Sequence, residues 1–431
     1  MKRRKFMNRF LQAGTASMMF PHLGRSAIFQ SYFPITQLTD GAKQHWFGYY
    51  DKWQVDPTGS YALTNEVALF FRSPRPEDML SVGLIDLQNQ NTPKEIGKTT
   101  AWGWQQGCML QWIPGSKKEV IWNARDEKKF VSKIYNIETG ETRTLQRAVY
   151  TLSPDGSFAL SVNFERLQAM RPGYGYAPID GIPDNLEKAP SDDGIFKMDL
   201  NSGEIELVIS YKQLSALARS SGSVADVYHW CNHLLLSPSG KRFIFLYRTR
   251  PHVLFKDGTR IEGASGRFST RAITANVDGS DLYVLNDSGE FSHFIWKGDE
   301  VITAWAATEE NGEPAFYEFT DKSKRYQILS KEHMPFNGHN TYVPNTNYEW
   351  ILNDTYPQGD ERLQELYLFH VPTKKKVVLG KFHEPQKFTG EWRCDLHPRC
   401  DQEGKRVFFD STHNGGRRQM YMMDISKIIH G

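Results

Sequence analysis

The feature that most restricts what this chain can become is a turn that recurs seven times. Four copies are clear: Asp56-Pro57-Thr58-Gly59, Ile113-Pro114-Gly115, Ser153-Pro154-Asp155-Gly156 and Ser237-Pro238-Ser239-Gly240. Three weaker copies follow, at Lys297-Gly298-Asp299, Pro344-Asn345-Thr346-Asn347 and Asp401-Gln402-Glu403-Gly404. Each is followed by an alternating strand, such as SFALSVNF or KRFIFLYR, and further on by a hairpin such as GIFKMDLNSGEIELVI. The two series alternate in order. A four-stranded antiparallel unit repeated in this way is the pattern of a β-propeller. The sequence therefore predicts an all-β fold of seven four-stranded antiparallel blades over residues 29–431. The seventh hairpin lacks its outer strand, and the segment Phe33–Leu38 is the expected donor that closes the ring.

The spacing is uneven. The surplus between the third and fourth turns falls in a Pro/Gly/Tyr-rich stretch at 165–193, too long for a simple connection. Loops of that length are usually functional. A second insertion, Thr249–Thr270, carries Arg250, His252, Arg260 and Arg267.

Histidines follow the same register. His233 lies five residues before Pro238, His339 five before Pro344, and His397 five before Gln402, while His293 lies four before Lys297. Equivalent positions on innermost strands form a collar at one mouth of the central channel. Four imidazoles gathered there suit a divalent transition metal or general acid–base chemistry. Asn232, Asn340, Asp354 and Asp395 offer oxygens nearby. The structural alternative is that each histidine merely caps a strand. Other polar groups map to the same end: Arg393 beside Asp395, Tyr50 in the first blade, Trp104 in the second, and Arg166, Arg171, Tyr174 and Tyr176 on the long loop. Arginines fork onto carboxylates and aromatic rings stack on sugars.

Composition excludes some classes. A net charge of +2 gives no basis for binding a nucleic acid. No apolar run is long enough to span a membrane. The four cysteines form no CxxC pair and are expected to be buried and free. Residues 1–28, with Arg3-Arg4-Lys5-Phe6-Met7, read as a twin-arginine-like export signal, so a periplasmic or secreted monomer is expected.

The blocks HWFGYYDKW, WQQGCMLQW, MRPGYGY, NHLLLSPSGKRF, EWRCDLHPR and FDSTH resemble an uncharacterised group of bacterial seven-bladed propellers. That group is distantly similar to the oligogalacturonate lyases and shares the TolB-like propeller shape. The resemblance implies a manganese ion held by histidines, with His233, His339 and His397 matching by blade position. The family's His-x-His ligand pair has no counterpart in this chain. It also implies β-elimination on a uronic-acid-containing oligosaccharide. The metal or Arg393 would neutralise the carboxylate, His293 or Arg171 would take the proton, and Tyr174 or Tyr176 would stack or protonate. Tyr50, Tyr176, Arg166 and Trp104 would meet the sugar. Two rival expectations stand beside this one. A glycoside hydrolase would draw a carboxylate pair from Asp51, Asp354, Asp395 and Asp410. A non-catalytic TolB-like propeller would only bind or scaffold.

Overall fold

The computed structural model describes residues 29–89, 93–218, 226–256, 259–261 and 266–429. The export signal expected at 1–28 lies outside the described residues. Seven antiparallel sheets follow one another along the chain as the blades of a propeller. Their innermost strands are Gln44–Trp46, Gln111–Trp112, Thr151–Leu152, Tyr228–Leu236, Phe291–Lys297, Thr341–Tyr342 and Arg399–Cys400.

The turn signals work through their first residue. Asp56 accepts hydrogen bonds from the backbone N–H groups of Thr58, Ser60 and Tyr61 at 2.7–2.9 Å. Asp401 does the same for Lys405 and Arg406 at 2.9 and 3.2 Å. A carboxylate there replaces the ladder bonds that the bend forfeits.

The amino-terminal segment contributes two edge strands. Thr36–Gln37 pairs with Tyr421 and Met422 as the outer strand of the seventh blade. Phe29–Ser31 adds a fifth strand to the sixth blade, against Gly380–Phe382, which the repeat did not predict. The second insertion holds a small hairpin of Phe255–Lys256 and Thr259–Arg260.

Between blades the core is strongly aromatic. Trp46, Trp102, Trp104, Trp112 and Trp122 share one cluster between the first two blades. Burying one indole removes roughly 200 Å² from water, a gross gain of about 5 kcal/mol. Arg418 lies 5.3 Å from the rings of both Trp46 and Trp104 and donates to the Trp104 carbonyl.

The long loop opens as a helix, Phe164–Met170, whose N-cap Asn163 accepts from the Glu165 and Arg166 amides. Arg166 then ties the loop down, donating to the carbonyls of His229, Glu187 and Lys188 at 2.6–2.7 Å. A side chain on Gly175 would fall 2.1 Å from the Gln168 nitrogen, so only glycine lets the loop fold back there. The Gly173 carbonyl accepts from the Gln105 amide of the second blade. The loop is thus laid across the ring with Arg171 and Tyr174 at the axis.

Candidate functional site

Two blades deliver their histidines by the same distortion. In the strand Tyr228–Leu236 the pairing slips between Asn232 and Leu235, and in Phe291–Lys297 it slips between Ser292 and Phe294. These are β-bulges, with His293 the residue left without a partner across the ladder. His233, His293 and His397 all have positive φ, between 43° and 53°. Left-handed backbone at a non-glycine residue costs on the order of 1–3 kcal/mol and clusters where function demands it. The turn turns each imidazole out of the ladder and toward the axis.

The histidines do converge. The His293 and His339 rings are 4.2 Å apart and the His339 and His397 rings 4.3 Å apart. His233 is set apart from them by Tyr49, whose ring stands 4.9 Å from both His233 and His397. Tyr49 reaches the axis because the inner strand of the first blade is interrupted. It pairs at Gln44–Trp46 and again at Val55, and the intervening residues loop inward.

His339, Asp395 and His397 place one ligand atom each within 4.8 Å of one another. His339 Nε2, His397 Nε2 and Asp395 Oδ1 are buried with no hydrogen-bond partner. Two free imidazole nitrogens and a carboxylate form a donor set that suits a divalent transition metal. Behind them, both oxygens of Asp354 lie 3.1 Å from His339 Nδ1. The same carboxylate accepts from the backbone amides of His339 at 2.6 Å and His397 at 3.2 Å. This is the outer-shell partner that aims a ligating histidine. Burial opposes protonation of His339, but the adjacent Asp354 charge outweighs it and holds that imidazole above its usual value. No carboxylate hydrogen-bonds the imidazoles of His233, His293 or His397 in this way; burial, then their cationic neighbours, keep them well below it, in His397 despite Asp395 at 3.7 Å.

Beside His233 and His293 opens a cavity of about 230 Å³, also walled by Arg171, Tyr174, Arg248 and Tyr356, among others; the trio adjoins it through His339, whose ring lies 4.2 Å from that of His293. Arg248 donates to Asn232 and Thr270. Arg171 lies 4.6 Å from the Tyr174 ring centre and 5.0 Å from that of Phe268, with its Nε buried and unpartnered. Among the described residues, no carboxylate pairs with Arg171 or Arg248. Arg393, by contrast, is held by Asp395 at 2.7 Å and donates from Nη2 to the Tyr174 hydroxyl at 2.9 Å. Burial opposes ionisation of the Tyr174 phenol, but Arg393 and Arg171 together bring it down to about 7.

Several expected contacts are corrected. His233 does not join the metal-type trio, because its Nε2 faces the Tyr49 hydroxyl at 3.3 Å. His293 has no nitrogen free to act as a base: Nδ1 meets Asn337 at 2.7 Å and Nε2 meets the Tyr356 hydroxyl at 3.3 Å. Trp104 is wholly buried in the tryptophan cluster, and its Nε1 donates to the Arg72 carbonyl. Tyr176 stacks on Phe164 at 4.4 Å and its hydroxyl accepts from Asn123, so it is core. Arg166 is spent on the loop carbonyls described above. Tyr50 packs beneath the histidines, 5.4 Å from His339, with its hydroxyl on the Phe294 carbonyl, and does not wall the cavity. Three of the four acids expected for hydrolysis are also committed: Asp410 to Arg399, Asp51 to Lys52, and Asp354 to the histidines, while Asp395 pairs with Arg393 and keeps Oδ1 free. All four cysteines are buried and free, as expected. Tyr49, Tyr356, Asn337, Arg248 and Phe268 were not anticipated as site residues.

No protein-family model matches the sequence, and no curated protein matches it. Solved structures do. Oligogalacturonate lyase from Vibrio parahaemolyticus aligns with a TM-score of 0.60 and 14% identity, over 94% of this chain and 98% of that one. An oligogalacturonate lyase in complex with manganese aligns with a TM-score of 0.61 and 13% identity over the same shares. TolB from Acinetobacter baumannii aligns at 0.39 and 12% identity over 85% of this chain and 81% of that one. At these identities the likeness of the two lyases is one of fold.

Proposed function

We propose that this propeller is a lyase that cleaves uronic-acid-containing oligosaccharides by β-elimination. The observation that carries the reading is the pairing, at one channel mouth, of the His339/Asp395/His397 donor set with a cavity lined by Arg171 and Arg248, neither of which pairs with a carboxylate among the described residues. A uronate presents the missing carboxylate. Elimination also requires that charge to be neutralised, so that the carbon beside it can lose its proton.

His339, His397 and Asp395 would hold the divalent ion, manganese being the choice favoured by the manganese complex of a fold neighbour. When bound, that ion supplies positive charge to the substrate carboxylate. The chain's own residues do the remainder. Arg171 and Arg248 bind and orient carboxylates, while Phe268 offers an apolar face between them. Arg393 adds charge beside Tyr174. The hydrolase alternative loses support because Asp51, Asp354 and Asp410 are already engaged, which leaves Asp395 without a second acid among the four candidates.

The test is to mix the full-length protein, with manganese present, with a panel of oligogalacturonates and other uronate oligosaccharides. The reading expects growth of the ultraviolet absorbance of an unsaturated product. Reducing sugar without that absorbance would favour hydrolysis, and no product on the whole panel would leave a binding propeller.

A further inference from the structure

The cavity holds two tyrosines in opposed surroundings. Tyr174, on the long third-blade loop, takes a hydrogen bond from Arg393 Nη2 at 2.9 Å and has the Arg171 guanidinium 4.6 Å from its ring centre. Tyr356, from the sixth blade, has its hydroxyl 3.3 Å from His293 Nε2. Arg393 stands between them, with its guanidinium carbon 5.8 Å from the Tyr356 ring centre. Both rings wall the same cavity.

We propose that Tyr174 is the proton acceptor and Tyr356 the proton donor of the elimination. This rests on the lyase reading and assigns it a base and an acid. The Tyr174 phenolate oxygen takes the proton from the carbon bearing the carboxylate. The electron pair of that C–H bond becomes the ring double bond, and the bond from the next carbon to the glycosidic oxygen breaks. That oxygen takes the Tyr356 phenolic proton. Tyr174 leaves the step neutral and Tyr356 ionised, and exchange with solvent restores both. No oxidant, reductant or water is consumed.

The surroundings support the direction of transfer. Arg393 and Arg171 face Tyr174, overcoming burial and the nearby Asp395, and hold its phenol at about 7. Tyr356 stands beside a hydrogen-bond acceptor instead: His293 Nδ1 donates to Asn337 Oδ1 at 2.7 Å, which leaves Nε2 to accept the Tyr356 O–H at 3.3 Å. Two like groups whose environments push them apart mark an acid and a base. His233 and Tyr49 also face Tyr174, and His293 and His339 face Tyr356. Neither pair brings a carboxylate.

The experiment compares the full-length protein with Tyr174→Phe and Tyr356→Phe, measuring product formation from oligogalacturonate and the near-ultraviolet tyrosinate band against pH. Positioned acid–base groups are worth about 10²–10⁴-fold. The expected result is a kcat loss of that size in Tyr174→Phe, with KM changed only severalfold. In the spectrum, wild type should show a tyrosinate forming near pH 7 that Tyr174→Phe lacks. Tyr356→Phe should keep that band and lose kcat. Near-normal kcat in Tyr174→Phe, or a titration identical to wild type, would overturn the assignment while leaving the lyase reading intact. A wild type inert on every uronate oligosaccharide would overturn both.

Discussion

Asp354 holds His339 through both carboxylate oxygens, each 3.1 Å from Nδ1, which leaves Nε2 as the nitrogen offered to the trio with Asp395 and His397. The same side chain also receives the His339 and His397 amides, so one carboxylate sets two ligand positions from adjacent blades. Asp354→Asn is therefore expected to weaken manganese binding by about 10–100-fold without unfolding the ring. Calorimetric titration with manganese chloride checks this; an unchanged affinity would remove Asp354 from the account.

His397→Ala and His233→Ala should behave differently. His397 offers an unpartnered Nε2 to the trio, whereas His233 Nε2 faces Tyr49. Manganese measured in the purified protein should vanish with the first substitution and persist with the second. Equal loss in both would restore His233 to the ligand set.

Arg171→Gln should act on binding. The residue lies on Phe268 and Tyr174 without a carboxylate partner, poised for a ligand anion. A hydrogen bond to a charged group is worth about 1.5–3 kcal/mol, so KM for a uronate oligosaccharide should rise roughly 10–100-fold. A neutral oligosaccharide should be bound equally by both proteins.

Trp104 and Tyr176 should report on stability. Trp104→Ala empties part of the tryptophan cluster and should cost about 3–5 kcal/mol in chemical denaturation. Tyr176→Phe removes one buried hydrogen bond to Asn123, about 1 kcal/mol, and should leave KM unaltered. A raised KM in Tyr176→Phe would return it to the sugar site.

Acid should loosen the sixth and seventh blades at the amino-terminal strand. His413 packs against Phe29, Phe382 and Tyr421, and burial lowers its pKa to about 4. Its folded pKa lies below the unfolded value of about 6.5, so the unfolded chain binds the proton first as pH falls. Stability is intact above about pH 6.5 and declines down to about pH 4, by roughly 3 kcal/mol at most. His413→Phe should flatten the fall in Tm over that window.

The blade count was legible because each turn must repair its own backbone, and residues such as Asp56, Ser153, Ser237 and Asp401 do so in a fixed register. The meeting of His293, His339 and His397 was legible for the same reason. The means of their meeting was not. A positive φ at His293 leaves no mark in the sequence, and its count differs by one because Lys297 pairs directly with Val301 in a tighter hairpin. Tyr49 could have been flagged by Gly48, whose φ of 131° lets the chain turn inward, but Tyr356 and Arg248 enter from strand ends that only the closed ring brings near. Trp104 and Tyr176 misled for the opposite reason. An aromatic beside a channel and one beneath it read alike until burial separates them.

The inward loop of the first blade has one more effect. Tyr49 and Tyr50 sit on the axis, touching histidines from four other blades, with a second, smaller hollow further along beside Tyr50, Lys52 and Tyr342. The bore is stoppered. Nothing long can be drawn through the ring, so whatever reaches the histidines must back out past the same arginines that admitted it.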